Sequence, residues 1–467
     1  MEHSHYDYCI VGAGVSGLTT AYHLLKGNQK VLIIERDDRI GGLGKSYNYD
    51  GHIFDTGPKR FHTDDPIVIS FIEHVLRENI LRIDRSTMVY FLNKYFGWPL
   101  NSKDILKMSL GTSIKCFFDL LKDRQIKDKA SFHEFIYSKY GETLYQIFFA
   151  PYTEKFLRWD PEDLHSDWAS TGINRTVVDD RIKANTLVDL LKSLALPEKI
   201  DTEFLYPTHD GFGGFFDKLY SICQGFDNFH ILLNDQIDTF EDHGQKFGAL
   251  TKGKKSVSFD QLIWSGNLNN LHDMISQDDH KVHYLNTIFY NIICKEAGIG
   301  KNRAQWIYVS QGDSLISRIT CMKEFAPYTC KEGYYNMVCE LTDAQHNPVY
   351  FKQPESHTQG ILDELVEMKF IKNKKFVEGV KVNPVIDTYP IYHKRYLKDF
   401  AEVAKKVKQY SDRIHLLGRS GAFWYNNSDH SIRMAIEMSK KLLGKETKVF
   451  DYRDYFGGKY REDLNEH

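Results

Sequence analysis

Apolar and polar positions change their period several times along the chain, and each change predicts a different element. Residues 8–11 are an apolar run, the pattern of a buried strand. Gly12-Ala13-Gly14-Val15-Ser16-Gly17 then forms a glycine-rich turn, a helix is expected over about 18–25, and residues 31–34 are a second apolar strand ending at Glu35. Strand, turn, helix and strand in this order make a βαβ unit. Over about 101–194 apolar residues recur three or four apart (Ile105 and Met108, Leu106 and Leu110), which predicts helices. A second glycine cluster, Gly211-Phe212-Gly213-Gly214, follows. Short strand-like runs between polar turns fill about 229–264 and 305–384, and residues 414–443 return to strand, turn and helix.

No internal repeat or low-complexity linker interrupts this order. It predicts an α/β protein with a discontinuous, Rossmann-type domain built from 1–100, 200–275 and 385–450. A helical insertion is expected at 101–199, a mostly antiparallel β-sheet domain on the substrate side at 276–384, and a charged tail at 451–467.

Composition narrows the function. The 467 residues suit two to four domains or one composite fold. With 60 Lys+Arg against 63 Asp+Glu, the chain lacks the basic field of a dedicated nucleic-acid binder. No run of about 18 apolar residues occurs, so no membrane span is expected. The polar start has no apolar signal core. Seven cysteines without a CxxC pair indicate neither a disulfide scaffold nor a zinc ribbon, and a reducing cytoplasm is the expected compartment. The oligomeric state stays open, a homodimer included.

The first glycine turn carries the chemistry. Gly12, Gly14 and Gly17 between a strand and a helix let backbone amides and the helix N-terminus face a pyrophosphate, and Glu35 stands where an acid binds ribose hydroxyls. A tight structural turn is the competing reading. The extension Asp38-Arg39-Ile40-Gly41-Gly42 then resembles the RxGG segment of FAD-binding proteins in the amine oxidase, protoporphyrinogen oxidase and UDP-galactopyranose mutase superfamily. Its glycines permit close backbone approach, and Arg39 offers a fork of donors. The resemblance implies FAD as cofactor. A second turn at Gly418 and Arg419, followed by Asn427, Ser428 and a helix beginning near His430, resembles the segment that closes over the flavin ring; an ordinary helix cap is its bland reading.

Further segments resemble the UDP-galactopyranose mutases. The stretch Gly57-Pro58-Lys59-Arg60-Phe61-His62-Thr63 is similar to the mutase segment that brings a histidine near the flavin, here His62. Leu144-Tyr145 and Pro151-Tyr152-Thr153-Glu154-Lys155 resemble another, with Arg175 beyond it and Ile316-Ser317-Arg318 resembling the segments of two phosphate-binding arginines. Tyr389 and Tyr392 fall in a stretch similar to a tyrosine-rich one near the substrate phosphates. The resemblance runs in order from residue 6 to about 443. It implies a nucleotide-sugar substrate held by Arg175, Arg318, Tyr389 and Tyr392, with Phe148 and Tyr152 against the base. His62, Arg175 and Arg318 would be the catalytic residues. The implied reaction is ring contraction in surface polysaccharide metabolism, with N5 of the reduced flavin attacking the anomeric carbon.

Two departures stand out. Lys59 and Arg60 replace a histidine and an aliphatic residue, and Leu157 replaces a tryptophan, with Trp159 two residues on. The arginines could equally be ordinary ion-pair residues and the aromatics core. An FAD-dependent oxidoreductase of the amine oxidase or protoporphyrinogen oxidase type is the alternative function, and a flavin-bearing scaffold without turnover is a third.

Overall fold

The opening apolar run becomes the strand His5–Val11, flanked in parallel by Val31–Ile34 on one side and Ser256–Trp264 on the other. The structure is a computed structural model that describes residues 5–98, 109–122, 125–169 and 203–445. All four residues of Val31–Ile34 are buried, as befits a parallel strand covered on both faces. Phe229–Leu232 extends the sheet in parallel beyond Val31–Ile34, and Ile414–Leu416 pairs in parallel with the end of Ser256–Trp264. Ile237–Asp242 and Phe247–Thr251 complete it as an antiparallel edge. Pieces of chain from the beginning, middle and end therefore share one sheet. The helices Val15–Lys26 and Gly214–Gln224 pack on it, and Ser428–Leu442 packs against Val15–Lys26.

A second sheet of seven described strands is antiparallel at every pairing but one. Its strand Tyr284–Lys295, second from one edge, is buried at every position except Lys295. Cover on both faces explains why this strand shows no clean alternation. Thr87–Phe91 joins the sheet in parallel beside Trp306–Val309, with Lys94–Gly97 outside it. Residues 87–97, expected in the first domain, thus hydrogen-bond into the second sheet. Val377–Pro390 likewise runs past the expected border at 384. Both differences come from long-range pairing, which local pattern does not encode. We propose domain borders that follow the two sheets.

The expected helical region contains Leu110–Leu121, Phe132–Tyr140 and Ala150–Leu157 among its described residues. A wide π turn, Tyr145–Phe149, leads into the last of these. Pro151 has no amide hydrogen to give the preceding turn, which widens there. No helix among the described residues is long and apolar enough to cross a membrane.

Candidate functional site

The first glycine turn divides its glycines by role. Gly12 has φ +101°, and a Cβ there would lie 2.5 Å from the Ser265 hydroxyl oxygen. A Cβ on Gly17 would stand 2.0 Å from the Gly12 carbonyl oxygen, so helix and strand approach through it. Gly14 is different. Its φ is −78°, and the nearest atom a Cβ would meet is the Gly42 Cα at 3.8 Å. Nothing in the protein itself demands glycine here. The space beside Gly14 is the kind of cradle a pyrophosphate fills against the helix that starts at Val15, whose N-terminus has no side-chain cap.

The acid and the second glycine pair join this turn directly. Buried Glu35 accepts from the Ala13 amide at 2.6 Å and from the Asp37 amide at 3.0 Å, leaving lone pairs for a ribose. The Gly41 amide donates to the Ala13 carbonyl at 2.8 Å, and a Cβ on Gly42 would sit 3.0 Å from the Gly14 Cα. Arg39 is exposed, donates to the Ser46 carbonyl at 2.9 Å and lies over the Tyr47 ring. Gly418, with φ +74°, would place a Cβ 2.6 Å from the Ser16 hydroxyl, so the C-terminal turn rests on the start of the same helix. These backbones fit a dinucleotide.

Beside them opens a cavity of about 350 Å³. From the loop after His52–Asp55 it takes Lys59, Arg60 and His62; from the second sheet Tyr308, Arg318 and Tyr389; from the helical region Phe148, Tyr152 and Trp168. Arg419, Tyr425 and the residues 427–430 close it from the C-terminal side. Asn427 and His430 also form a capping box on the helix Ser428–Leu442, so the bland reading of that segment holds together with its place in the cavity.

Arg318 is the best-anchored cation. Its Nε donates to Glu340 at 2.7 Å, and its Nη2 to Glu340 at 2.6 Å and to the Tyr389 hydroxyl at 3.2 Å. Burial works against its charge, but Glu340, Tyr389 and Tyr308 together outweigh it and hold the guanidinium well above its ordinary pKa. Lys155 fixes the approach to this strand: its buried ammonium donates to the carbonyls of Val309, Gln311 and Ile316. A Cβ on Gly57 would lie 2.7 Å from Glu340, so only glycine lets the 57–62 loop cross the ion pair.

Arg419 donates to the carbonyls of Thr388 and Asn426 and lies over Tyr389 and Tyr425. Those two rings are near-parallel at 5.2 Å. Arg60 stacks on Trp306 and Phe204, and burial lowers it to about 10. Burial, with Arg419 close by, lowers Lys59 to about 7. His62 is exposed at the mouth, edge-on to Phe204 at 5.2 Å.

The structure thus brings His62, Arg318, Phe148, Tyr152, Tyr389, Arg419, Asn427 and Ser428 to one cavity. Tyr392 does not belong there. It is buried, its hydroxyl accepts from the Tyr425 amide at 2.7 Å, and its ring stacks on Tyr396 at 4.1 Å. The strand ends at Pro390, and Tyr392 beyond it turns into the core. Arg175 lies outside the described residues. Leu157 is fully buried, whereas Trp159 bonds Asp163 and stacks on His393 away from the cavity. Sequence reasoning gave no role to Tyr308, Tyr425, Trp98 or Trp168, which also line the cavity. Only Tyr425, six residues after Arg419, carried a local signal.

The description NAD(P)-binding Rossmann-like domain matches residues 10–75. Among solved structures, a reduced UDP-galactopyranose mutase covers 94% of this chain and 94% of its own, with TM-score 0.81 and 19% identity. A putrescine oxidase bound to putrescine covers 95% and 100%, with TM-score 0.59 and 14% identity. These likenesses show the fold. Among curated proteins, dTDP-fucopyranose mutase of Escherichia coli is 28% identical over 174 residues, 33% of this chain and 42% of that protein. The chloroplastic protoporphyrinogen oxidase of Nicotiana tabacum is 25% identical over 165 residues, 34% of this chain and 30% of that protein. The matched stretches span less than half the length of these curated relatives.

Proposed function

We propose that the protein is an FAD-dependent enzyme that rearranges a nucleotide-activated sugar, with ring contraction as the reaction. One observation carries the reading. The cavity that gathers Arg318, Tyr389 and Arg419 also contains residues 427–430, which follow the C-terminal glycine turn resting on Ser16. An anion site and the end of a dinucleotide site therefore meet.

In this reading Gly12, Gly14, Gly17, Glu35, Arg39, Gly41 and Gly42 hold the FAD, with Gly418, Arg419, Asn427 and Ser428 near its ring. Reduced FAD, when bound, supplies a nucleophilic nitrogen for the anomeric carbon. Arg318 binds a diphosphate oxygen through charge-assisted bonds, with the Tyr389 hydroxyl beside it. Phe148 and Tyr152 give the base a flat apolar wall. The cavity aromatics displace water, which strengthens each polar contact. His62 stands at the mouth, where it meets the ligand from the solvent side. Arg175 is proposed as the second phosphate arginine. Surface polysaccharide metabolism is the process such a reaction serves.

The test is anaerobic incubation of the holoenzyme, in separate reduced and oxidised samples, with a panel of nucleotide sugars. Isomerised product without net flavin oxidation is the expected result. Stoichiometric reduction of oxidised flavin by a substrate, with no isomer formed, overturns the reading in favour of an oxidoreductase of the amine oxidase type.

A further inference from the structure

Among the described residues four lysine and arginine cations face the cavity, and one of them has no protein partner there. Arg318 is matched by Glu340, Arg419 is held by two carbonyls, and Arg60 lies on Trp306 and donates to the Pro58 carbonyl. Lys59 is half-buried, and among the described residues nothing accepts a hydrogen bond from its ammonium or pairs with it. Its electrostatic surroundings come from several elements. Arg318 and Glu340 face it from the second sheet, Arg419 from the C-terminal turn and Asp55 from the strand before its own loop. Farther along the cavity are Arg60, His62 and Asp64 on that loop, and Asp429 and His430 on the C-terminal helix. Tyr152, Tyr308, Tyr389 and Tyr425 contribute hydroxyls from the remaining walls.

Such surroundings disfavour a further positive charge in the free protein. Burial removes water from the ammonium, and two guanidiniums repel it, against the partial pull of Glu340 and Asp55. An anion reverses this balance, because it screens the guanidiniums and attracts the amine itself.

We propose that Lys59 meets an anionic ligand largely as a neutral amine and is protonated when that ligand binds, so that binding creates an additional cation and a proton donor beside the bound phosphate. The proton comes from the buffer and returns to it on release; no bond to carbon forms or breaks. The inference rests on the nucleotide-sugar reading for the identity of the ligand and adds to that site a residue whose charge the ligand sets. Lysine, unlike arginine, can do this, because its free-protein pKa of about 7 lies within reach of physiological pH.

Calorimetry of the FAD-loaded protein at about pH 8, in buffers of different ionisation enthalpy, counts the protons taken up on binding. UDP-glucose is one probe, since its diphosphate does not titrate there, and sulfate is the other. The parent protein takes up about one proton per UDP-glucose, and its affinity falls up to about tenfold per pH unit above neutrality. Lys59→Met binds more weakly and takes up none. Lys59→Arg retains the cation and binds without uptake or the pH slope, which distinguishes proton exchange from a structural role. UDP-glucose binding with no uptake in the parent, or with undiminished uptake in both variants, overturns the inference and leaves the nucleotide-sugar reading intact. Sulfate binding with Lys59-dependent uptake, where UDP-glucose does not bind, supports the inference and overturns that reading. Failure of both anions to bind overturns both.

Discussion

Arg318 and Glu340 stand directly opposite each other on adjacent antiparallel strands and meet through two hydrogen bonds of 2.7 and 2.6 Å. The Glu340 side chain has no solvent exposure, whereas the guanidinium also reaches the cavity and Tyr389. The pair thus fixes a cationic group at the cavity wall while hiding its counter-charge in the sheet. Neither residue predicts the other, because 21 positions lie between them in the sequence.

Breaking this pair from one side is expected to cost about 3–5 kcal/mol, since the surviving charge is left buried. Arg318→Ala and Glu340→Ala should each show that loss in denaturant unfolding. Arg318→Met combined with Glu340→Leu should recover most of it. A double variant no more stable than either single one would contradict the pair's assignment. Arg318→Lys should weaken nucleotide-sugar binding by roughly 1.5–3 kcal/mol with flavin content unchanged, because an ammonium lacks the planar fork.

Gly14 and Gly17 should respond in opposite ways to alanine. At Gly14 the protein leaves room, so Gly14→Ala is expected to cost no more than about 1 kcal/mol of stability while removing flavin. At Gly17 the new Cβ would lie 2.0 Å from a carbonyl oxygen, so the fold itself should suffer, by about 1–3 kcal/mol or more. Flavin absorbance of the purified variants, set beside their thermal unfolding, separates the two effects.

Asp55 should give stability a measurable pH dependence. Its buried carboxyl accepts from Ser46, from Tyr206 at 2.6 Å and from the Phe212 amide at 3.1 Å, yet burial still raises it from 3.8 to about 6. The folded protein therefore binds this proton more tightly than the unfolded chain. Its contribution is fully present below the unfolded value and is lost as pH rises through about 6, on the order of 3 kcal/mol in all. Asp55→Asn should flatten unfolding free energy between those limits. An unchanged slope would remove Asp55 as its source.

Tyr392 should act on the cavity only through Tyr425. Tyr392→Phe deletes the acceptor of the Tyr425 amide and is expected to cost about 0.5–1.5 kcal/mol of stability. Ligand affinity should fall less than in Tyr389→Phe, whose hydroxyl faces the cavity. Equal losses in binding would return Tyr392 to the site.

Lys155 tests how the strand of Arg318 is placed. Lys155→Met leaves three carbonyls without their donor, each worth about 1–3 kcal/mol if it stays dry. The variant should unfold at markedly lower denaturant. If it folds as the parent does, water has replaced the ammonium.

By itself the sequence determined the βαβ unit and the glycine turn, and it marked Gly41 and Gly42 as points of close backbone approach, whereas their meeting with Ala13 and Gly14 came from the fold. Those features depend on backbone conformations that glycine alone adopts and on apolar runs only a few residues long. The helix starts fell two or three residues earlier than expected, at Val15 and Ser428, because the turn residues themselves open the helices. The cavity was another matter. Arg318 and Tyr389 were named from motif likeness, but their bond across 71 positions, and the stacking of Tyr389 on Tyr425, exist only through sheet pairing and loop closure. The same holds for Tyr392, which lies in the same short stretch as Tyr389 and yet faces the core. Lys59 was legible as a departure, but its meaning was not. A lysine's charge depends on what the folded chain places around it, and only the tertiary structure placed two guanidiniums and a buried pair beside that amine, with no acceptor of its own among the described residues.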